Sequence, residues 1–185
     1  MRRVWSWGTH DSAHTGEEGG EAVNVLVVGA GVVGESLAEQ LSQEGHRVAI
    51  VDRSTHKLAA LSERIDVLTV PGNAGMLSVM ERAGIRSAHM VIAVTDVDEV
   101  NLVVGMLAAR MGVRHRIVRI RNPEYLSGGV LRLEELGIDH VINPDPHIVD
   151  AIRNMIRLPG VTAYSRLAGG QVVILGFDVG VESPA

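Results

Sequence analysis

The residues whose types and spacing most directly imply chemistry are Gly29, Gly31 and Gly34, followed 18 positions later by Asp52. In the run Gly29-Ala30-Gly31-Val32-Val33-Gly34, each glycine has a distinct physical use. Gly29 allows a tight turn, Gly31 lets a pyrophosphate approach the backbone, and Gly34 lets a helix pack closely on a strand. The free N–H groups and the positive dipole end of that helix attract the anion. Taken alone the spacing is weak, because a purely structural glycine turn also satisfies it.

Asp52 strengthens the reading. A carboxylate at the end of the second strand accepts both ribose hydroxyls of an adenosine and repels a 2′-phosphate, which favours NAD(H) over NADP(H). The bland alternative is a solvated aspartate at a strand end. Arg53 works the other way, since an arginine beside the carboxylate accommodates a 2′-phosphate or stacks on adenine.

Further residues fall at strand ends that line the same crevice. Asn73 and Ala74 follow the third strand, where Asn73 either bonds adenine or makes the turn. Thr95 and Asp96 follow the fourth strand, at the switch point where a nucleotide lies, and Thr95 is expected to contact it. Asp96 and Glu99 also match a capping box, so the start of a helix explains their types without a ligand. A metal role for Asp96, Asp98 and Glu99 is the minor reading. Arg119 lies on the fifth strand, where a buried guanidinium wants an anion: a phosphate or a carboxylate of the crevice.

The elements that must hold these residues are legible as alternating periods. VNVLVVG (23–29) is an apolar strand, and residues 32–44 repeat Val33, Leu37 and Leu41 at helical spacing before Gly45 closes the helix. Strands follow at 47–52, 66–72, 87–95, 115–121 and 140–143. Between them, helices are expected around Leu58 and Leu61, around Leu77 and Met80, from Val97 to Met111, and through Leu131, Leu133 and Leu136 to Gly137. Six strands at βαβ spacing predict a Rossmann-type α/β domain over 23–143, with a doubly wound parallel sheet ordered 3-2-1-4-5-6.

Residues 1–22 show no period and read as a disordered leader, so a metal role for His10 and His14 is disfavoured. After the sheet, 144–160 carries a helix over 147–157 whose wide apolar set (Ile148, Ala151, Ile152, Met155, Ile156) needs covering. Residues 161–185 begin a further, incomplete subdomain with two strands joined around Gly169 and Gly170.

Composition narrows the function classes. Apolar residues make up 46% of the chain and aromatics 3%, so the core is aliphatic, as suits a parallel sheet covered on both faces. Without cysteine there are no disulfides or thiolate sites. A net charge of −5 argues against nucleic acid. No apolar run approaches the ~20 residues of a membrane span.

The ordered run GAGVVGESLAEQL, VDRSTHKL, GNA, AGIRSAHMVIAVTDVDEVNLVVGMLA, RIRNPEYL and IDHVINP through IRLPG resembles the N-terminal half of the TrkA family, over about residues 23–180. This domain is also called RCK or KTN, and the family comprises cytosolic NAD-binding regulatory subunits of Trk-type potassium-uptake systems. The resemblance implies nucleotide contacts from Gly29, Ala30, Gly31, Val32, Val33 and Gly34, and from Asp52, Thr95, Asp96 and Arg119, with Arg53, Asn73 and Ala74 on the adenosine side. It also implies that helix 147–157 is the crossover by which such domains pair. Family members form homodimers and tetrameric rings beneath a membrane potassium-translocating subunit, which implies a peripheral place at the inner face of the cell membrane.

Two functions compete. The first is a gating module that senses NAD(H), or ATP or ADP, and does no chemistry on it. The second is a hydride-transferring dehydrogenase, which the same fold supports. A dehydrogenase needs a substrate domain and an acid or base facing the nicotinamide. His46, His115 and His140 flank strand starts away from the crevice, Lys57 lies at the adenosine end, and Tyr125 has no lysine four residues on. The sensor is therefore the expected function.

Overall fold

The computed structural model describes residues 22–127, 132–143, 161–167 and 172–177. The chain divides into two compact units, Met1–Ile142 and Asn143–Ala185. In the first, the elements run β1 (Asn24–Val28), α1 (Val32–Gln43), β2 (Arg47–Asp52), α2 (Thr55–Arg64), β3 (Leu68–Pro71), α3 (Leu77–Arg82), β4 (Met90–Ala93), α4 (Asp98–Arg110), β5 (His115–Arg119) and β6 (His140–Ile142). The six strands form one all-parallel sheet in the order β3-β2-β1-β4-β5-β6, as the alternation predicts.

Alternation along the strands builds two cores. Leu26, Val28, Ala49, Val51, Val91 and Ala93 face Met80 of α3 and Val104 and Ala108 of α4. Val25, Val27, Val48, Ile50 and Ile92 face Ala38 of α1 and Leu58 and Leu61 of α2. Central strand β1 is buried on both sides, and for that reason it reads as an unbroken apolar run.

Three local expectations are corrected. In α1 the buried line is Gly34 and Ala38, with Leu37 and Leu41 only partly buried and Val33 44% exposed. The helix rolls this way because Gly34 sits directly on the turn below it, so the residue before it points outward. The stretch Arg132–Gly137 is a series of turns with mixed i→i+3 and i→i+4 bonds rather than a regular helix. Gly137 ends it at φ +79°. Leu131 lies outside the described residues. At the start of α4 the expected capping box is absent, for reasons that lie in the site.

In the second unit, β7 (Val161–Leu167) and β8 (Val172–Phe177) pair antiparallel, as the two-strand reading of 161–180 expects. Residues 1–21, expected to be a leader, and residues 147–157, expected to be a helix, lie outside the described residues. Among the described residues, no helix is long and apolar enough to cross a membrane.

Candidate functional site

The six strands of the sheet being parallel, the ends of β1, β2, β3, β4 and β5 open on one edge of it, where α/β folds hold ligands. The glycine turn begins this edge. Gly29 has φ +104°, a left-handed conformation, and its N–H donates to the Val51 carbonyl at 2.8 Å. A Cβ on Gly34 would stand 1.8 Å from the Gly29 carbonyl oxygen, so no larger residue fits there. A Cβ on Gly31 would meet nothing within 4 Å, which leaves open space beside the first turn of α1.

The N–H groups of that turn are available. Glu35 N–H to Gly31 O, at 2.8 Å, is the first bond of the helix, and no side chain caps this end. The N–H groups of Val32, Val33 and Gly34 therefore lack intrahelical acceptors, as at any helix start. Unpaired donors beside open space at the positive end of a helix dipole suit an anion.

Asp52 reaches this turn from β2. Its Oδ2 accepts the Ala30 N–H at 2.7 Å and its Oδ1 accepts the Ser54 N–H at 2.7 Å. A carboxylate has about four acceptor positions, so two remain for hydroxyls. Asp52, Arg53, Asn73, Ala74 and Thr95 line one cleft over the ends of β1 to β4, with Gly72 and Val97 beside them. Arg53 is exposed at its rim. Asn73 makes its turn, because Oδ1 accepts the Gly75 N–H at 3.1 Å, and it faces the cleft as well.

The capping-box expectation at α4 is corrected here. The residue before the helix is Val97, with no side-chain cap. Asp96 is directed instead at Arg119, with Nη2 to Oδ1 at 2.9 Å. Arg119 is buried, at 9% exposure, whereas the Asp96 side chain is 88% exposed. The Arg119 Nε is buried without a partner. The pair therefore leaves the guanidinium short of acceptors, the condition in which an anion is welcome. Glu99 takes the Tyr125 hydroxyl at 2.9 Å. That hydrogen bond pushes the Tyr125 phenol above its ordinary range.

Residue types alone did not single out Asn101. It is fully buried and bonds both Thr95 and the Arg119 carbonyl. A lone amide inside the apolar face of VNLVVG was the available signal. Among the described residues, no group of three or more His, Asp or Glu side chains is placed to hold a metal.

A family model described as the TrkA-N domain matches residues 25–144. The Trk system potassium uptake protein TrkA homolog of Archaeoglobus fulgidus is 33% identical over 157 residues, covering 85% of this chain and 36% of that protein. The Trk system potassium uptake protein TrkA of Haemophilus influenzae is 34% identical over 160 residues, covering 83% and 34%. The chain thus spans about a third of the length of these curated relatives. Among solved structures, the TrkA-N domain of inner membrane protein ybaL from Escherichia coli superposes with TM-score 0.62 at 22% identity, over 75% of this chain and 97% of that one. A GsuK channel structure bound to NAD gives TM-score 0.61 at 17% identity, over 80% and 26%. At these identities the structural likeness is one of fold.

Proposed function

The chain belongs to the TrkA-N domain family, and from that membership we propose that it is the nucleotide-sensing part of a regulatory subunit for potassium uptake. The observation that carries the reading is the joining of Asp52 to Ala30 beside the free N–H groups of Val32, Val33 and Gly34. Adenosine would lie in the cleft, its ribose hydroxyls on Asp52 and its base among Arg53, Asn73 and Ala74. Phosphates would sit on the turn from Gly29 to Gly34, against Thr95 and within reach of Asp96 and Arg119. NAD(H) is the ligand this arrangement favours, because a carboxylate at Asp52 disfavours a 2′-phosphate. ADP and ATP share the adenosine and phosphates that the site reads. One structural neighbour is a channel bound to NAD and another is the same channel bound to ADP.

The role is regulatory rather than enzymatic. A bound nucleotide acts by preferring one geometry of the domain over another. A tenfold preference supplies about 1.4 kcal/mol of bias. Pairing of two or four copies beneath a Trk-type membrane subunit, at the inner face of the membrane, would add such contributions. The names of the relatives support this assignment. In proteoliposomes holding a Trk-type translocating subunit and this chain, NADH should change potassium flux by about threefold or more. Equal flux with and without every adenine nucleotide would contradict the assignment.

A further inference from the structure

The first turn of α4 is fastened to each chain segment that leaves the crevice on its side. Asn101 Oδ1 accepts the Thr95 N–H at 3.0 Å and the Thr95 hydroxyl at 2.7 Å. Its Nδ2 donates to the Thr95 carbonyl at 3.0 Å and to the Arg119 carbonyl at 2.8 Å. Three residues earlier, Asp98 Oδ2 accepts the N–H groups of Arg121 and Asn122 at 2.9 and 2.8 Å. Glu99 holds Tyr125. One helical turn therefore joins the end of β4, the end of β5 and the segment that follows it.

Asn101 decides how stiff that joint is. It is wholly buried, and both its lone pairs and both its N–H groups are engaged. Any shift of Thr95 relative to Arg119 breaks one of these bonds and leaves a buried polar group unpaired, which is costly. The satisfied network therefore holds Thr95, Arg119 and the helix as one stiff unit.

We propose that Asn101 is a positioning residue that couples the crevice to α4. A nucleotide settling against Thr95 and Arg119 fixes their separation, and Asn101 transmits that constraint to the helix as a unit. Occupancy of the crevice is then expressed as ordering of α4, on the side of the sheet opposite α1 and α2. The inference rests on the nucleotide reading given above.

Hydrogen exchange of the full chain with saturating NADH separates the two. In the wild type, NADH slows exchange about tenfold at the amides of Val32–Gly34 and at those of α4. Asn101→Asp keeps the size and one acceptor but loses both donated bonds and sets a carboxylate against two carbonyls. In it, and in Asn101→Ala, protection of the turn persists while the response of α4 falls to about twofold or less. Protection of the turn without any response in α4 of the wild type would overturn the coupling alone. So would an undiminished α4 response in both variants. No protection of the turn in the wild type would overturn the nucleotide reading, and the coupling with it. If neither variant folds, Thr95→Val, which deletes the hydroxyl's bonds to Asn101 and to Val97, is compared at saturating NADH with Thr95→Ser, which restores them. A weaker α4 response in the valine variant supports the coupling, and equal responses contradict it.

Discussion

The backbone N–H of Ala30 donates to the carboxylate of Asp52 at 2.7 Å, so the glycine turn after β1 and the acid that ends β2 form one piece. These features lie 22 residues apart. The same carboxylate holds Ser54, whose hydroxyl in turn accepts the Lys57 N–H and caps α2. Asp52 thus orders both loops that frame the cleft before any ligand arrives. A site held in place by its own fold loses less freedom on binding.

Asp52→Ala should therefore weaken both fold and binding. It strands two backbone donors from a charged acceptor, at about 2–4 kcal/mol of stability in total. Asp52→Asn retains an acceptor and should lose about half as much. It also removes the repulsion towards a 2′-phosphate, so the preference for NADH over NADPH should shrink. Urea unfolding and calorimetry with both dinucleotides check the two effects separately.

The glycines should divide cleanly into structural and binding positions. Gly34→Ala forces a Cβ against the Gly29 carbonyl, where backbone must move. A loss of about 3 kcal/mol or more, or failure to fold, is expected. Gly31→Ala puts its methyl into open space at φ −82°, which alanine adopts freely. Its melting temperature should stay near that of the wild type while NADH affinity falls at least about tenfold, because the methyl occupies the approach to the N–H groups. Equal losses of stability in both variants would contradict this division.

Much of this was legible in the sequence because it is local. The βαβ alternation fixed the sheet order, and the distance from Gly34 to Asp52 placed both at one edge. The carboxylate expected beside Arg119 is Asp96; what escaped was the use made of Asp98, Glu99 and Asn101. Within VTDVDEVN these residues resemble a helix start, and the nearest neighbours in sequence support that reading. Apart from Thr95, which Asn101 binds six residues back, their partners from Arg119 to Tyr125 lie 18 to 26 residues further along and arrive only when β5 docks beside β4. Local periodicity carries no trace of them. The exposure of Val33 escaped for a similar reason: the contact between Gly34 and Gly29 sets the roll of α1, and the hydrophobic stripe does not.

Arg119→Met should distinguish the two uses open to that guanidinium. Its carboxylate partner is almost fully exposed, so removing the charge leaves nothing buried and unpaired. Stability should change by less than about 1 kcal/mol, as when a partly desolvated ion pair gives way to an apolar side chain. Affinity for NADH and ADP should fall about tenfold if phosphate is the second partner. Titration calorimetry of the variant decides, and unchanged affinity would confine Arg119 to its pair with Asp96.

Acid should loosen the far edge of the sheet. Asp139 accepts from the Arg116 backbone N–H at 2.8 Å and from Nε at 2.9 Å, joining β5 to the residue before β6. The Arg116 side chain holds the Asp139 carboxyl below its usual range, and Asp139 raises the already high value of Arg116. A carboxylate lowered in the folded state stabilises above its unfolded value, about 3.9, and that contribution is lost as pH falls through the folded value. Arg116 stays charged throughout and adds no slope there. Urea midpoints of the wild type and Asp139→Asn should differ most above the unfolded value, about 3.9, and converge as the pH falls below it. Parallel curves would contradict the assignment.

The central claim is that this crevice holds an adenine dinucleotide on the Gly29–Gly34 turn and Asp52. Titration calorimetry of the wild-type chain with NADH, NAD, NADPH, ADP and ATP tests it most directly. Saturable binding of NADH or NAD is predicted, with one site per chain, weaker binding of NADPH, and affinity at least about tenfold lower in Gly31→Ala. Absence of heat from every nucleotide, or tighter binding of NADPH than of NADH, would contradict it.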